Sequence, residues 1–144
     1  MEKVIIKKEI LSKVIKKRDP QLNKTNFGRL LLICGSASLG GAAIMSTRAA
    51  VYSGAGLVTL ASDKINRTSM LSVVPEAMFM DYKDTEKLKK MINRSDVILI
   101  GSGLEKSQES LNLINLLFTE ITDDQILVID GTALSLIGEK ILNY

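Results

Sequence analysis

Histidine and tryptophan are absent from this 144-residue chain, and cysteine occurs once. Without histidine, the chain alone can build no Ser-His-Asp triad, Cys-His pair or histidine metal site. The single cysteine, Cys34, allows no intrachain disulfide and no thiolate zinc cluster. It closes an apolar run and reads as a buried core thiol. No apolar run approaches ~18 residues, so none reads as a membrane-spanning helix. The opening "MEKVIIKKEILSK" scatters charge through its apolar residues and lacks the core of a secretory signal. The expected compartment is the cytoplasm, with no membrane partner. Chemistry is left to backbone amides, carboxylates and lysines.

What remains is ordinary for a globular protein: 46% hydrophobic, 24% charged and only 4% aromatic. The length suits one domain, 1–144, able to bury roughly 70% of its unfolded surface. The net charge of +3 is unevenly placed. Residues 1–30 hold nine Lys or Arg against three acids, and the remaining 114 hold ten against thirteen. The basic character therefore belongs to "KVIIKKEILSKVIKKR", where Ile6, Ile10, Val14 and Ile15 fall at helical spacing. This predicts an amphipathic helix packed on a core. No aromatic residues interleave with the lysines, which argues against a nucleic-acid partner.

Beyond the Asp19-Pro20 break and the loop "QLNKTN", strand and helix patterns alternate. Continuous apolar runs at 29–34, 96–101 and 125–130 suit strands buried on both faces, with further strands at 56–61 and 76–81. Helical patterns occupy 42–53, 63–74, 84–94 and 107–118, and another begins at 132. Asp84 is the expected N-cap of the third, and Gly54 ends the first at its C′ position. This order implies parallel strands with right-handed crossovers: an α/β, three-layer, doubly wound sheet with helices on both faces. Ligands in such sheets bind at the carboxyl ends of the strands. That edge holds four loops: 35–41, 62–66, 101–106 and the turn after Asp130.

The sharpest motif is "CGSASLGGAA" at 34–43, between a strand and a helix. Its glycines permit close backbone approach, and the helix that follows offers N–H groups to an anion; a plain tight turn is the alternative. It departs from a P-loop, because Gly41 and Ala42 stand where Lys and Ser/Thr belong. "GSGLEK" at 101–106 fails as a dinucleotide fingerprint, with Lys106 in the third glycine position. Asp130 ends a buried strand, where a carboxylate can hold magnesium or a ribose hydroxyl, or cap the next helix. Glu76 could reach the same crevice or be an exposed loop acid. Lys24 could contact a phosphate or be an ordinary solvated lysine.

Taken in order, "NKTNFGRLLLICGSASLGGAAIMSTRAAVYSGAGLVTLAS", "PEAM", "DVILIGSGL" and "LVIDGTAL" resemble the ADP/ATP-dependent NAD(P)H-hydrate dehydratases. These are the YjeF C-terminal-domain proteins of the ribokinase-like superfamily, and the likeness runs over about residues 18–138. It implies a metabolite-repair enzyme that restores NADH or NADPH from their hydrated forms at the expense of ADP or ATP with Mg2+. Carried over by position, Ala42 and Gly103 would line the hydrate site. Gly40, Gly41 and Gly101 would give close backbone approach, and Asp130 would sit at the crevice edge. Asn23 and Leu39 depart from the histidine and tyrosine common in the family. The resemblance further implies that the chain is the N-terminal half of such a domain. The family's G-x-GD motif, with its aspartate base, would then lie beyond Tyr144, and the isolated chain is expected to be inactive. A symmetric homo-oligomer, often a tetramer, is implied as well. The alternatives are a sugar or vitamin kinase of the same fold, and a non-catalytic nucleotide-binding or assembly module.

Overall fold

The computed structural model describes residue 5, residues 7–15 and residues 17–142. Each of the five apolar runs becomes a strand: β1 (Arg29–Ile33), β2 (Leu57–Ser62), β3 (Met78–Asp81), β4 (Val97–Ile100) and β5 (Ile126–Ile129). All pairings are parallel, in the order β3-β2-β1-β4-β5. The register sets Leu31 of β1 beside Thr59 of β2 on one side and Ile98 of β4 on the other. The helices are α1 (Glu9–Val14), α2 (Gly40–Tyr52), α3 (Arg67–Val73), α4 (Thr85–Ile92), α5 (Gln108–Glu120) and α6 (Gly131–Leu142).

The two-residue period of a strand sorts the core into two layers. Leu31, Ile33, Ile98 and Ile100 point to one face, against Leu88 and Ile92 of α4, Leu113 and Leu117 of α5, and Leu136 of α6. Leu32, Val58 and Leu60 point to the other, against Ala43 of α2 and Met70 of α3. The sheet is doubly wound, as the alternation of patterns predicts. Leu31, Leu32 and Ile33 are all but fully buried, so each contributes about 1.5–3 kcal/mol of hydrophobic stabilisation. Asp84 caps α4 as expected, its side chain accepting the Lys87 N–H at 3.2 Å. Gly54, at φ 89°, follows the end of α2 and donates its N–H to Val51 O.

Three expectations need correction. The N-terminal helix is only six residues long, and Ile10 and Ile15 are 38% and 69% exposed, so among its described residues it does not pack as a core helix. Ile6 and the side chain of Val14 lie outside the described residues. The run at 125–130 is buried on one face only. Leu127 and Ile129 join the α5–α6 layer, while Ile126 and Val128 are 62% and 45% exposed. Among the described residues no helix covers that other face of β5. Finally, 63–74 is not one helix: a 3-10 turn, Lys64–Asn66, precedes α3, because the Asp63 side chain accepts the Ile65 N–H and Asn66 turns inward.

Candidate functional site at the crest of the sheet

Strand order creates the site. The chain leaves β1 toward β2 and leaves β4 toward β5, so the two connections diverge between neighbouring central strands. At such a switch point a crevice is expected outside the carboxyl ends of the strands. Here the two loops are clasped to each other. Gly35 N–H donates to Ser102 O at 2.9 Å, and Ser36 N–H to Gly103 O at 2.7 Å.

Gly103 is what makes the clasp possible. Its φ is 71°, and a β-carbon there would stand 2.6 Å from Leu39 O and 2.8 Å from the Ala42 β-carbon. Gly101, at φ 125°, would meet the Asp130 carbonyl in the same way. Ser102 Oγ in turn donates to Asp130 Oδ2 at 2.7 Å, and Thr132 Oγ1 donates to Leu104 O at 2.6 Å. The loop after β5 is thereby tied to the loop after β4. Leu39 provides no side-chain cap for α2, and although the Ala42 N–H reaches Leu39 O at 3.3 Å, a helix start without a side-chain cap favours an anion.

A polar brace supports the glycine loop from the β2 side. Ser62 Oγ donates to Gly35 O at 2.8 Å, and Asn66 Nδ2 donates to Ser36 O at 3.0 Å and to Ser62 Oγ at 2.9 Å. Ser36 Oγ donates to Glu105 Oε1 at 3.0 Å and accepts the Leu39 N–H at 3.2 Å. Ser62 and Asn66 are buried, so each bond satisfies a group that would otherwise be costly in the interior. Farther along the crest, Lys83 bridges Asp63 at 3.0 Å and Glu109 at 3.3 Å. The Ile65 N–H, followed by the Lys83 ammonium, holds the Asp63 carboxyl below the usual carboxylate range. Burial, with Glu109 beside it, raises the Tyr82 phenol above its ordinary value. A cavity of about 560 Å³ opens here, lined among others by Tyr82, Lys83 and Leu113, and the clasped loops are not part of its wall.

The site residues named from the sequence fall as follows. Ala42 and Gly103 are in van der Waals proximity, and Gly101 and Asp130 adjoin them. Gly40 makes its close approach to the Asn66 side chain, and Gly41 faces open space. The Asp130 carboxylate accepts the Ser102 hydroxyl. Glu76 is exposed in the turn before β3 and Lys24 in a 3-10 turn, Lys24–Phe27, before β1. Both therefore sit at the opposite end of the sheet, a strand length of about 16 Å away at 3.3 Å per residue. Asn23 caps that 3-10 turn, accepting the Thr25 N–H at 2.9 Å. Leu39 is 47% exposed on the lip of the crest. Cys34 is a core thiol, as read from the sequence; burial pushes it up to about 12. The Ser62–Asn66 brace was not foreseen. Its signal in the sequence is the place of 62–66 among the crest loops, with Ser62, Asp63 and Asn66 directly after an apolar strand.

The chain is similar to known proteins along most of its length. A family profile described as NAD(P)H-hydrate dehydratase matches residues 30–143. The chain is 47% identical over 135 residues to the ADP-dependent (S)-NAD(P)H-hydrate dehydratase of Lactococcus lactis, covering 94% of this chain and 48% of that protein. A ribokinase-like superfamily protein from Enterococcus faecalis superimposes with a TM-score of 0.92 at 35% identity, over 100% of this chain and 52% of the other. At 24% identity and a TM-score of 0.74, the fold is shared with the Bacillus subtilis ADP/ATP-dependent NAD(P)H-hydrate dehydratase co-crystallised with ATP/Mg2+, over 88% of this chain and 45% of that one. The chain thus spans about half the length of the relatives it matches.

Proposed function

Because this chain belongs to the NAD(P)H-hydrate dehydratase family, we propose that it supplies the hydrate-binding part of an ADP-dependent dehydratase that returns hydrated NADH or NADPH to the reduced cofactor. The reading is carried by one observation: two glycine loops clasped at the switch point beside an uncapped helix start. In the proposed reaction the ring hydroxyl of the hydrate accepts a phosphoryl group from ADP or ATP. Phosphate then leaves with a proton from the adjacent ring carbon, and the ring double bond is restored.

This chain's residues have defined parts in that scheme. Ala42 and Gly103 offer the ring a surface without bulky side chains, and Gly40 and Gly101 keep the supporting backbone close. The start of α2 favours the negative charge of a phosphate. Gly41, open to solvent, leaves room for the ligand's diphosphate. Asp130 orients Ser102 and through it the loop after β4. A bound nucleotide would supply the phosphoryl group, and any Mg2+ would come with the nucleotide rather than be held by this chain. Among the described residues no three His, Cys, Asp or Glu side chains converge, so the residues present do not fit a metal cage. We assign the base and the nucleotide site to polypeptide equivalent to the other half of the relatives, and place the reaction in the cytoplasm. The exposed apolar face of β5 favours a second role for the chain alone, as an assembly module.

The test is complementation. The chain, the second half of the Lactococcus lactis relative, and their mixture are each given hydrated NADPH and ADP, and recovery of nicotinamide absorbance is followed. Activity is expected only in the mixture, and turnover by the chain alone refutes the assignment. In the active mixture, Ala42→Leu is expected to weaken NADPH binding at least tenfold with the fold intact. Unchanged affinity would reduce the glycine loop to a turn.

A further inference from the structure

On the α4–α5–α6 face, a groove runs between the C-terminal part of α4 and the start of β3, with buried Thr59 of β2 at its base. Two adjoining cavities of about 370 and 320 Å³ lie there and share Thr59, Met78, Met91 and Arg94 in their walls. The floor is apolar and rich in methionine, a side chain that adapts to the shape of what it meets. Met78 is 45% exposed, and β3 is the edge of the sheet.

The rim is cationic in a regular way. Lys87, Lys90 and Arg94 all line the second cavity from α4 and its C-terminal end. Their spacing is three and four residues, which places them on one side of the helix alongside the groove. Arg29 closes the far end. Lys87 pairs with Asp84 at 2.6 Å, but among the described residues no acid forms an ion pair with Arg29, Lys90 or Arg94.

We propose that this groove is a docking site for an acidic amphipathic helix contributed by another polypeptide. Its apolar stripe covers Met78, Met80 and Met91, and its carboxylates, at helical spacing, face Lys90 and Arg94. Three considerations select this occupant. Uncovered faces of parallel sheets are normally closed by helices. A stripe of cations along α4 matches carboxylates spaced three and four residues apart on a neighbouring helix. The chain's own N-terminal segment is excluded by charge, since residues 1–18 hold seven Lys or Arg against two acids. Two-fold pairing of this face with a second copy would likewise set cation against cation.

Fluorescence anisotropy tests the proposal on the whole chain. One probe is an 18-residue synthetic helix with a leucine stripe flanked by glutamates; a twin carries glutamine in their place. The glutamate peptide is expected to bind at least tenfold more tightly than the twin. The double substitution K90E/R94E should lose that preference while remaining folded by circular dichroism, its thermal midpoint lowered only slightly by acids at the C-terminal end of α4, and should gain affinity for a lysine-flanked peptide. Equal binding of the two peptides, or none by either, overturns the proposal. So does tighter binding of a 20-nucleotide single strand, which would make the stripe a phosphate-backbone site. A fall in particle mass on K90E/R94E, seen by light scattering, would assign the groove to a second copy instead.

Discussion

Replacing Gly103 by alanine perturbs the clasp at its tightest point. The added methyl would lie 2.6 Å from Leu39 O and 2.8 Å from the Ala42 β-carbon, and the residue must keep φ near 71°. An L-residue in the left-handed region costs about 1–2 kcal/mol, and overpacking typically adds about 1–3 kcal/mol. The neighbour cannot retreat cheaply, because the bonds from Gly35 and Ser36 to Ser102 and Gly103 fix both backbones. The expected loss is therefore about 2–5 kcal/mol, a large share of the ~5–15 kcal/mol that holds a domain together. With a urea m-value of about 2 kcal/mol/M, the unfolding midpoint should fall by about 1–2.5 M. Gly41→Ala is the control. Nothing lies within 4 Å of its added methyl, and replacing a glycine in a helix should stabilise by about 0.4–1 kcal/mol. If Gly103→Ala unfolds within 0.5 kcal/mol of the parent by this measure, the clasp is not rigid and the argument for a preformed crest fails.

Asn66→Ala removes the donor to Ser36 O and Ser62 Oγ, and should cost about 1–3 kcal/mol in urea unfolding; because Gly40 abuts the Asn66 side chain, adding Gly40→Ala should then cost less than it does in the parent. Asp63 has its pKa lowered in the fold, so its contribution is present above the unfolded value near 3.9 and is lost as pH falls through the lower folded value. Asp63→Asn should accordingly flatten the decline of the urea midpoint below about pH 4, and an unaltered acid limb would refute the assignment. We also expect the chain to self-associate through the face of β5 carrying Ile126 and Val128, which are 62% and 45% exposed. Light scattering over a dilution series should give a mass above 15.8 kDa, and a stable species of that mass at micromolar concentration would count against it.

The architecture was legible because most strands are buried on both faces and therefore appear as unbroken apolar runs. "RLLLIC" and "DVILIG" need no partner information to be read as central strands. "QILVID" has the same composition, yet half of it faces solvent, because composition reports what a strand could bury and not whether a helix arrives to cover it. The glycine loops were found from their position between strand and helix. Their mutual clasp was not, since it depends on β1 and β4 being neighbours although 67 residues separate Arg29 from Asp96. Asn66 was hidden for a related reason. Its partner, Ser36, belongs to the loop of another strand, and a lone asparagine in a helical pattern carries no sign that it is buried. Glu76 and Lys24 looked eligible from charge alone, and only the direction of the strands placed them at the wrong end of the sheet.

The central position of β1 has a consequence for synthesis. Its two neighbours reach it at different times: β2 follows closely, whereas the Asp96 carboxylate that accepts the Arg29 N–H at 2.7 Å lies 67 residues later in the chain. At the usual elongation rate of about 5–20 residues per second, β4 emerges roughly 3–13 s behind β1. During that interval the first three strands can pair, while the other margin of Leu30–Ile33 waits with its amide and carbonyl groups exposed along an apolar strand. An edge of this kind accepts any extended segment that meets it. On the ribosome, then, the vulnerable line of the sheet runs down its future centre, and a nascent-chain chaperone would protect this protein most by shielding β1 until β4 arrives.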